Sequence, residues 1–396
     1  GVFETNKTYK LELDIISSNG ATLGFAGGIP DIFNTSTLGK RILYISPTTT
    51  YLQIKRSSGV TDVTITNISV TEIIGDKPRI DYSDSSTEPS LLLEPQSTNL
   101  LTYSEDFSQS SWNKASSTVT LTSELSPNGT TDSVYNLTGT AANLYVGGTA
   151  GVQHTISFYV KSNGQGKDKF KLRLGNNISI EYTATNEWVR YEYTETPTTS
   201  VFGITTTSAP NNEFDLLIWG AQVEALSYPT SYIPTSGSTA TRLGEIANNA
   251  GGAGVFNSEE GVLYAEIAAL ADDVLDKKIF LSDGTMNNYV AIGYSRFAGN
   301  IIAEIFTGGV LQTVGWGATG VNKTNNNKFA LSWGSGTMKF YVNGTQTNTE
   351  SVSSPSGLNV LEFNTAVDTL NMYAKVKGIQ VFNYALTDEE LQTLTT

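Results

Sequence analysis

The chain has 396 residues, of which 39% are hydrophobic and 16% are charged, so it carries enough apolar mass to exclude wholesale disorder. Its 24 Lys and Arg against 38 Asp and Glu give a formal net charge of -14, and so acidic a surface argues against nucleic acid as a partner. The lack of cysteine excludes disulfides and thiolate metal sites, and no apolar run reaches the roughly 18–20 residues of a membrane helix.

Apolar and polar residues alternate near the start of the chain with the period of a half-buried antiparallel strand. Leu11, Leu13 and Ile15 fall on one face, and charged residues occupy the positions between them. Residues 63–70 alternate in the same way around Asn67, where we expect a kink. The abundant Thr, Ser, Asn and Gly of the chain favour strands and turns over helices.

A second stretch repeats this plan. Ile156, Phe158 and Val160 alternate like the first strand, and Trp219-Gly220-Ala221-Gln222-Val223-Glu224 resembles Asn67-Ile68-Ser69-Val70-Thr71-Glu72. We therefore predict two copies of one structural plan, with a longer loop in the second copy. The alternative is that short alternating strands match by chance.

The first copy is short for a complete sandwich. It ends near Ile74, whereas an antiparallel sandwich takes roughly 100 residues or more. The sequence opens Gly1-Val2-Phe3-Glu4, without Met and without a signal peptide. We therefore expect residues 1–74 to form a partial jelly-roll sandwich whose leading strands lie upstream of Gly1 or come from another chain.

Two stretches rich in Pro, Ser and small residues predict connectors between domains. The first covers 75–98, and the second covers 227–254, with 244–254 as the linker proper. Connectors of this composition space domains and are expected to carry little core. A complete jelly-roll domain would then span 99–243, and a third domain would span 255–396.

The third domain is predicted to hold further strands and one helix. Residues 328–333 and 337–342 flank a Gly-Ser-Gly turn and predict a hairpin, which Asn343-Gly344 follows with a second tight turn. Thr387 and Glu390 form a capping box, so we expect a short helix to begin there. The other strands of this domain are expected at 262–267, 289–294 and 301–306.

The order of the last motifs carries a family resemblance. The hairpin at 328–344, the strand at 377–382 and the tail at 383–391 occur in the order found in laminin-G-like, concanavalin-A-type lectin or glucanase domains. Residues 255–396 therefore resemble that family. The resemblance implies a lectin-like sandwich for this part of the chain.

Residues 91–243 resemble a carbohydrate-binding-module-like jelly roll that is common in large phage structural proteins. The segments that carry this resemblance are 92–101, 103–107, 219–224 and 231–235. It implies an extracellular protein of the virion surface, such as a tail fibre, a head fibre or a decoration protein. Its partners would be other virion subunits and host-surface glycans. Homotrimers are common among such fibres, but no heptad or collagen repeat encodes one here.

The sequence offers few groups for catalysis. His154 is the only histidine, and we expect an exposed or edge residue rather than a member of a triad or a zinc site. The Glu-x-Asp-x-x-Glu strand of related glycosidases has its nearest match at Glu12-Leu13-Asp14-Ile15-Ile16-Ser17, where Ser17 replaces the third acid. In the lectin-like domain, Glu266 has no acidic partner two residues later, because Ala268 occupies that position. We therefore expect no enzymatic activity, no catalytic residue and no cofactor.

Sugar binding needs aromatic faces for stacking together with polar groups for hydroxyls. Trp316 lies between two glycines on an expected loop and is the best single candidate. Core or interface packing is the alternative for every aromatic, and it is expected for Trp219 and Trp333. The other ligand candidates are Tyr289, Tyr294 and Trp112, with Tyr145 and Trp188 as further aromatics of the jelly roll.

Two oxygen-rich clusters are candidate sites for a structural calcium ion. The first is Asp272 and Asp273 with Asp276, and the second is Asp283 with Asn287 and Asn288. Neither cluster has the spacing of an EF-hand, and solvated loop acids are the alternative for both.

The fold class predicted is all-β, with tandem antiparallel β-sandwiches of jelly-roll type, a C-terminal concanavalin-A-like sandwich and one short terminal helix. The leading function is a non-enzymatic phage fibre protein that contributes to adhesion to host-surface glycans. Two alternatives stay open at this point. One is a purely structural capsid or tail decoration protein, and the other is a polysaccharide-degrading enzyme or its binding module.

Overall fold

The computed structural model is built almost wholly of antiparallel strands, which confirms the predicted all-β class. In the part of the chain that it describes, it holds 29 strands and one short helix. It describes all residues except 1–2, 4–7, 21, 27–32, 35–37, 46–48, 59, 75–78, 83–86, 207–211, 273–274, 298–299, 317–319 and 364–370. Within that part, no helix is long and apolar enough to cross a membrane.

The strands are numbered in chain order. The first nine are β1 (Thr8–Ser18), β2 (Thr22–Ala26), β3 (Phe33–Asn34), β4 (Gly39–Ile45), β5 (Gln53–Ser58), β6 (Val63–Ile74), β7 (Arg79–Asp81), β8 (Ser90–Leu92) and β9 (Ser97–Asn99). The next ten are β10 (Asn113–Leu121), β11 (Tyr135–Gly147), β12 (His154–Ser162), β13 (Lys169–Leu174), β14 (Asn177–Ile178), β15 (Tyr182–Thr183), β16 (Val189–Glu195), β17 (Val201–Thr205), β18 (Glu213–Glu224) and β19 (Ala240–Arg242).

The last ten strands and the helix lie in the C-terminal part. They are β20 (Gly261–Ala269), β21 (Lys277–Ser282), β22 (Tyr289–Tyr294), β23 (Ile301–Thr307), β24 (Val310–Trp316), β25 (Asn327–Gly334), β26 (Thr337–Val342), β27 (Thr345–Ser351), β28 (Val360–Glu362), β29 (Ala374–Phe382) and α1 (Asp388–Thr395). Contacts divide the chain into two compact units, 1–75 with 96–243 and 76–95 with 244–396.

Residues 8–74, the N-terminal module, form two small sheets. One sheet has the strand order β4-β1-β6 and the other has the order β3-β2-β5. Leu11, Leu13 and Ile15 of β1 are at most 1% exposed, because alternation points them all toward the core of the module. The predicted half-buried strand at this place is confirmed.

Residues 96–243, the complete module, hold a nine-stranded sheet. Its main path is β14-β13-β17-β11-β18-β12-β16, with β10 paired to β11 and β15 paired to β13. The first half of β11 pairs with β18 and its second half pairs with β17. This one strand therefore joins the strands on both sides of the core, and its Leu137, Ala142 and Leu144 are fully buried there.

The two modules share one strand plan, as the internal repeat predicted, but their last strands match one residue away from the predicted alignment, with Trp219 at the place of Thr66 and not of Asn67. The order β4-β1-β6 matches β16-β12-β18, and β3-β2-β5 matches β15-β13-β17, since β3 pairs with β2 at the positions where β15 pairs with β13. Between the pairs Glu12–Ser69 and Asp14–Thr66, two residues of β6 lie opposite one residue of β1. Between the pairs Ser157–Gln222 and Tyr159–Trp219, two residues of β18 likewise lie opposite one residue of β12. The N-terminal module has no described counterpart of β10 and β11.

Each of these irregularities is a β-bulge that contains a residue in the left-handed region. In β6 this residue is Asn67, with φ 52, and in β18 it is Gly220, with φ 60. Asn and Gly are the residues that tolerate this conformation best. The predicted kink at Asn67 is therefore confirmed as a bulge, and the amide of Asn67 donates to Asp14 on β1 at 2.6 Å.

The C-terminal sandwich packs two sheets around one core. The seven-stranded sheet has the order β27-β26-β25-β20-β29-β8-β7, and the five-stranded sheet has the order β24-β23-β22-β21-β28. Its core includes Leu331, Trp333 and Phe340 of the predicted hairpin, which forms as β25 and β26. The helix α1 begins after Thr387, whose side chain completes the predicted capping box with Glu390.

The first predicted connector differs from expectation, because part of it belongs to the C-terminal sandwich. Strands β7 and β8 extend the seven-stranded sheet beyond β29, and Leu93 is 0% exposed in the sandwich core. The Pro and Ser content of 75–98 predicted a spacer with little core, but its run of three leucines has the apolar surface that a sheet edge buries.

The second predicted connector is also partly buried, because a network of buried hydrogen bonds holds it against the complete module and Ile233 is 0% exposed. The amide of Asn99 donates to the carbonyl of Ile233 at 2.8 Å, and Gln222 accepts from the Ile233 N–H at 2.6 Å. Glu224, which is 0% exposed, accepts from the Thr230 N–H at 3.0 Å. Buried polar groups need such partners, so these motif residues hold segment 230–233 on β18.

An ion-pair cluster fixes β7 within the C-terminal sandwich. Arg79 contacts Glu94 and lies 2.6 Å from Glu245, and the Glu245 side chain is 1% exposed. Removing the guanidinium would leave two carboxylates with low exposure and less compensating charge, which is costly because buried charge is poorly solvated.

We expect Arg79→Ala to lower the free energy of unfolding of the C-terminal sandwich by about 2 kcal/mol. This is less than the ~3–5 kcal/mol typical of a fully buried pair, because 35% of the Arg79 side chain is exposed. Chemical denaturation would measure it, with the exposed Arg296→Ala as a control that changes stability by less than about 0.5 kcal/mol. Equal effects of the two variants would contradict the structural role of Arg79.

Candidate functional site

An aromatic and charged cluster lies on the side of β12, β16 and β18 that faces away from the core of the complete module. We call it the aromatic patch and define it as Tyr159, Trp188, Arg190, Trp219 and Tyr232. The Trp219 ring centre lies 4.7 Å from that of Tyr232 and 5.3 Å from that of Tyr159. Trp219 is 2% exposed, whereas the other four keep part of their surface open to solvent.

Strand alternation and the bulge place these side chains. Phe158 and Val160 of β12 are buried in the core, so Tyr159 between them points to the opposite face. Gly220 makes room for the rings, because a Cβ at this position would lie 3.1 Å from Tyr159 and 3.4 Å from Tyr232. The left-handed Gly220 thus serves both the bulge and the close ring packing.

Arg190 is held in place beside the rings. Its register partner on β12 is Tyr159, and its guanidinium carbon lies 5.7 Å from the centre of the Tyr159 ring. One Nη donates to the carbonyl of Thr230 at 2.7 Å, while the other Nη and Nε donate to the Ser157 hydroxyl. A guanidinium has five N–H donors, so these three bonds leave donors for an acceptor outside the protein.

Glu105 adds an acid to the edge of the patch. The Tyr232 hydroxyl lies 3.0 Å from the Glu105 carboxylate and 2.7 Å from the Ser104 hydroxyl. Burial raises the pKa of Glu105 from 4.5 to about 7, and the hydrogen bond from Tyr232 offsets only part of that rise. The carboxyl therefore changes its protonation state near neutral pH.

The N-terminal module carries different chemistry at the matching positions. The register pair Tyr159 and Arg190 corresponds to Asp14 and Lys40, and Trp219 corresponds to Thr66. Nearby, Glu12 pairs with Lys10 and Lys40 at 3.1 and 2.7 Å. The strand plan is therefore compatible with a charged outer face and does not itself require aromatic rings there.

Three of the four predicted ligand-binding aromatics lie in the packed interior. Trp112 is 2% exposed, and its indole N–H donates to the carbonyl of Tyr103. Tyr294 is 0% exposed and donates to the carbonyl of Ile267 at 2.7 Å. Tyr289 is 4% exposed. These three rings offer no open face for stacking on a sugar, so the alternative of core packing describes them better.

The surroundings of Tyr289 explain its burial. Its ring stacks on Phe306 at 4.7 Å, and its hydroxyl lies 3.3 Å from Glu304, which pairs with Lys278 at 2.9 Å. Trp316, the best single candidate, was expected on a loop but ends strand β24, where it pairs with Ile302. The placement of the Trp316 side chain lies outside what the structure describes.

The predicted calcium cluster is not assembled in the described part of the chain. Asp272 pairs with Lys323 at 3.0 Å, and Asp276 accepts the N–H of Arg296 at 2.5 Å. Asp273 lies outside the described residues. Among the described residues no group of three His, Asp or Glu side chains could hold a metal ion. Asp283, from the second cluster, accepts instead from Thr285 and Asn288.

His154 was expected to be exposed or at an edge, and this prediction is wrong. It is 2% exposed, its Nδ1 lies 2.7 Å from the carbonyl of Val152, and its ring packs on Phe202 at 5.1 Å. Alternation explains the burial, because His154 shares a face with the buried Ile156. Its counterpart in the N-terminal module, Tyr9, is buried at the same place in β1.

Sequence reasoning missed most of the aromatic patch. The sequence makes Trp188 a candidate and predicts core packing for Trp219, but it does not single out Tyr159, Arg190 or Tyr232. The signal available was the alternation around Phe158, which places Tyr159 on the outer face, and that of β16, whose Arg190 is its cross-strand neighbour. The contribution of Tyr232 depends on a loop that returns to the sheet, and no local pattern predicts that return.

The raised pKa of Glu105 predicts a pH-dependent stability difference. Between about pH 4.5 and 7 the carboxyl ionises in the unfolded chain but not in the folded one, so stability falls as pH rises through this window. We expect the free energy of unfolding of Glu105→Gln to equal that of the native protein below pH 4.5. Above pH 7 it should exceed the native value by at most about 3 kcal/mol. Chemical denaturation across this pH range measures the difference in the free energy of unfolding, with the exposed Glu187→Gln as the control. A difference that does not change with pH would refute the prediction.

Comparisons with known proteins give fold likeness only. No family model matches the sequence, and no curated protein matches it. Three similar solved structures each cover 38% of this chain. The CBM40 module of the Ruminococcus gnavus IT-sialidase, bound to alpha2,3 sialyllactose, is 19% identical, with 95% of its chain covered and a TM-score of 0.32.

The other two similar structures are a leech enzyme and a horseshoe-crab pentraxin. The leech intramolecular trans-sialidase is 18% identical, with 26% of its chain covered and a TM-score of 0.31. The heptameric SAP-like pentraxin of Limulus polyphemus is 10% identical, with 74% covered and a TM-score of 0.32. TM-scores this low carry no inference about what this chain binds.

Proposed function

We propose that this chain is a non-enzymatic carbohydrate-binding protein whose ligand contacts the aromatic patch of the complete module. The observation that carries the proposal is the contrast between the two modules. Where the N-terminal module has Asp14, Lys40 and Thr66, the complete module has Tyr159, Arg190 and Trp219 on the same strand plan. Trp219 is 2% exposed and lies beneath the outer rings, whereas Tyr159 is partly open to solvent, and partly exposed aromatic surface that the fold does not require is typical of a binding surface.

The chemistry of the patch suits a sugar. Partly exposed rings such as Tyr159 and Trp188 offer apolar faces for the C–H groups of a pyranose, and both pack against the buried cluster that contains Trp219. Arg190 supplies N–H donors, and Glu105 supplies a carboxyl group. A few polar groups placed around aromatic surface is the usual composition of a small-ligand site.

The non-enzymatic part of the proposal has separate support. The two acids of the partial glycosidase motif are engaged, Glu12 with Lys10 and Lys40, and Asp14 with Asn67. The histidine is enclosed by the core of its module. A reducing-end assay with host capsule or common polysaccharides tests the remaining alternative of a hydrolase, for which we expect no turnover.

We further propose that the protein is a component of a phage virion surface, as a fibre or another appendage. This part rests on the sequence resemblance of 91–243 to jelly rolls of phage structural proteins. A purely structural decoration protein is the second candidate, since tandem sandwiches provide contact surfaces for other subunits whether or not they bind sugar. Imaging of an intact assembly that contains the chain would locate it on the head or on the tail.

We expect Trp188→Ala to weaken glycan binding about tenfold, equivalent to about 1.4 kcal/mol, because it removes a stacking face. The Trp188→Phe variant should retain part of the affinity. The experiment is a glycan array that includes sialyllactose, followed by titration of the retained glycan. The matched control is Tyr384→Ala, a change of an aromatic that is 52% exposed in the C-terminal sandwich and should leave affinity unchanged.

Two outcomes would contradict this proposal. A folded native protein that retains no glycan on the array would favour the decoration protein. Glycan binding that survives Trp188→Ala and Tyr159→Ala alike would place the ligand elsewhere on the chain. A thermal melt of each variant separates loss of the site from loss of the fold.

A further inference from the structure

The N-terminal module leaves two strand edges without a described partner. β6 pairs with β1 on one side, and β5 pairs with β2 on one side. Among the strands that the structure describes, none pairs with the second edge of either. Their counterparts β18 and β17 are flanked on both sides, because β11 lies between them. An unpaired strand edge presents backbone N–H and C=O groups to which a further strand can pair.

Apolar side chains of β6 are also more open than their counterparts. Leu216, Ile218, Ala221 and Val223 of β18 are at most 1% exposed in the core of the complete module. The matching residues of β6 are apolar at all four positions. Val63, Ile65 and Val70 are only partly buried, and Ile68 is 51% exposed.

The same contrast holds for the second edge. Phe202 and Ile204 of β17 are each 1% exposed, and they lie beside β11. Their counterparts next to and within β5, Leu52 and Ile54, are only partly buried. The inward residues of β11 complete the core of the complete module, so the corresponding core of the N-terminal module lacks one strand of apolar side chains.

One hydrogen bond indicates the direction from which the missing strand enters. At the end of β11, the N–H of Gly148 donates to the carbonyl of Ser200 at 3.2 Å. At the matching place, the N–H of Phe3 donates to the carbonyl of Thr50, also at 3.2 Å. Phe3 is 3% exposed, and its ring packs against that of Tyr9 at a centroid distance of 4.8 Å. Polypeptide joined to the N-terminal side of Phe3 would therefore run where β11 runs.

We propose that the N-terminal module is completed by a β-hairpin of the β10–β11 type, supplied by polypeptide joined to the N-terminal side of Phe3. Its second strand inserts antiparallel between β5 and β6. That strand carries apolar residues at alternate positions on each side of a bulge, as β11 does with Tyr135 and Leu137 before Ala141 and with Ala142 and Leu144 after it. These residues cover Val63, Ile65 and Val70, and the backbone of the strand satisfies both open edges.

The test adds such a hairpin to the full chain. A second copy of residues 113–147 replaces residues 1–2 directly ahead of Phe3, and hydrogen exchange is followed at single-amide resolution. We expect the β6 amides that are not bonded to β1 to slow by about 100-fold or more. The matched control is the same fusion with the copied equivalents of Leu137 and Leu144 changed to Asp, which should leave these amides fast.

Three outcomes would overturn the proposal. The first is a folded fusion in which exchange along β6 is unchanged. The second is protection of the same amides in the unmodified chain that increases with protein concentration, which would make a second copy the occupant. The third is protection by a free 113–147 peptide but not by the fusion, which would assign the edge to a separate chain. The free-peptide experiment also gives a readout if the fusion fails to fold.

Discussion

The left-handed bulge in β6 and β18 is the constraint on which both modules depend. Without it, strict alternation would place the residues after the bulge on the wrong face. The extra residue shifts the alternation by one, so that Ile218 before the bulge and Ala221 after it both face the core. Trp219 precedes the bulge and faces outward by ordinary alternation with Ile218, and the left-handed Gly220 of the bulge leaves room for the rings of Tyr159 and Tyr232 beside it. One backbone irregularity thus serves the core and the candidate site together.

The two modules show how one strand plan supports different surfaces. Outer-face positions are free to vary, because the core is built from the alternate residues. The N-terminal module uses this freedom for the ion pairs of Glu12, and the complete module uses it for Tyr159 and Arg190. The modules differ also in their cores. β11 closes the core of the complete module, and the N-terminal module has no described counterpart of β11. Surface chemistry and core completion are therefore separate properties of the plan.

The sequence predicted what depends on local pattern. Alternation located β1 and β12, the glycine turn located the hairpin of β25 and β26, and the capping box located α1. It did not predict that the Pro- and Ser-rich connectors add strands and core, because the partners of Leu93 and Ile233 are distant in sequence. The sequence also did not predict the burial of Trp112, Tyr289 and Tyr294. An aromatic in or beside a strand faces the core or the solvent according to the register, which local sequence does not determine.

The central claim is that the N-terminal module is an incomplete version of the complete module. Native-state hydrogen exchange of the unmodified chain, comparing β6 with β18 residue by residue, tests it most directly. The account predicts slow exchange along the whole of β18, and slow exchange in β6 only at amides bonded to β1, at every protein concentration. Slow exchange along both edges of β6 in dilute monomeric protein would contradict it.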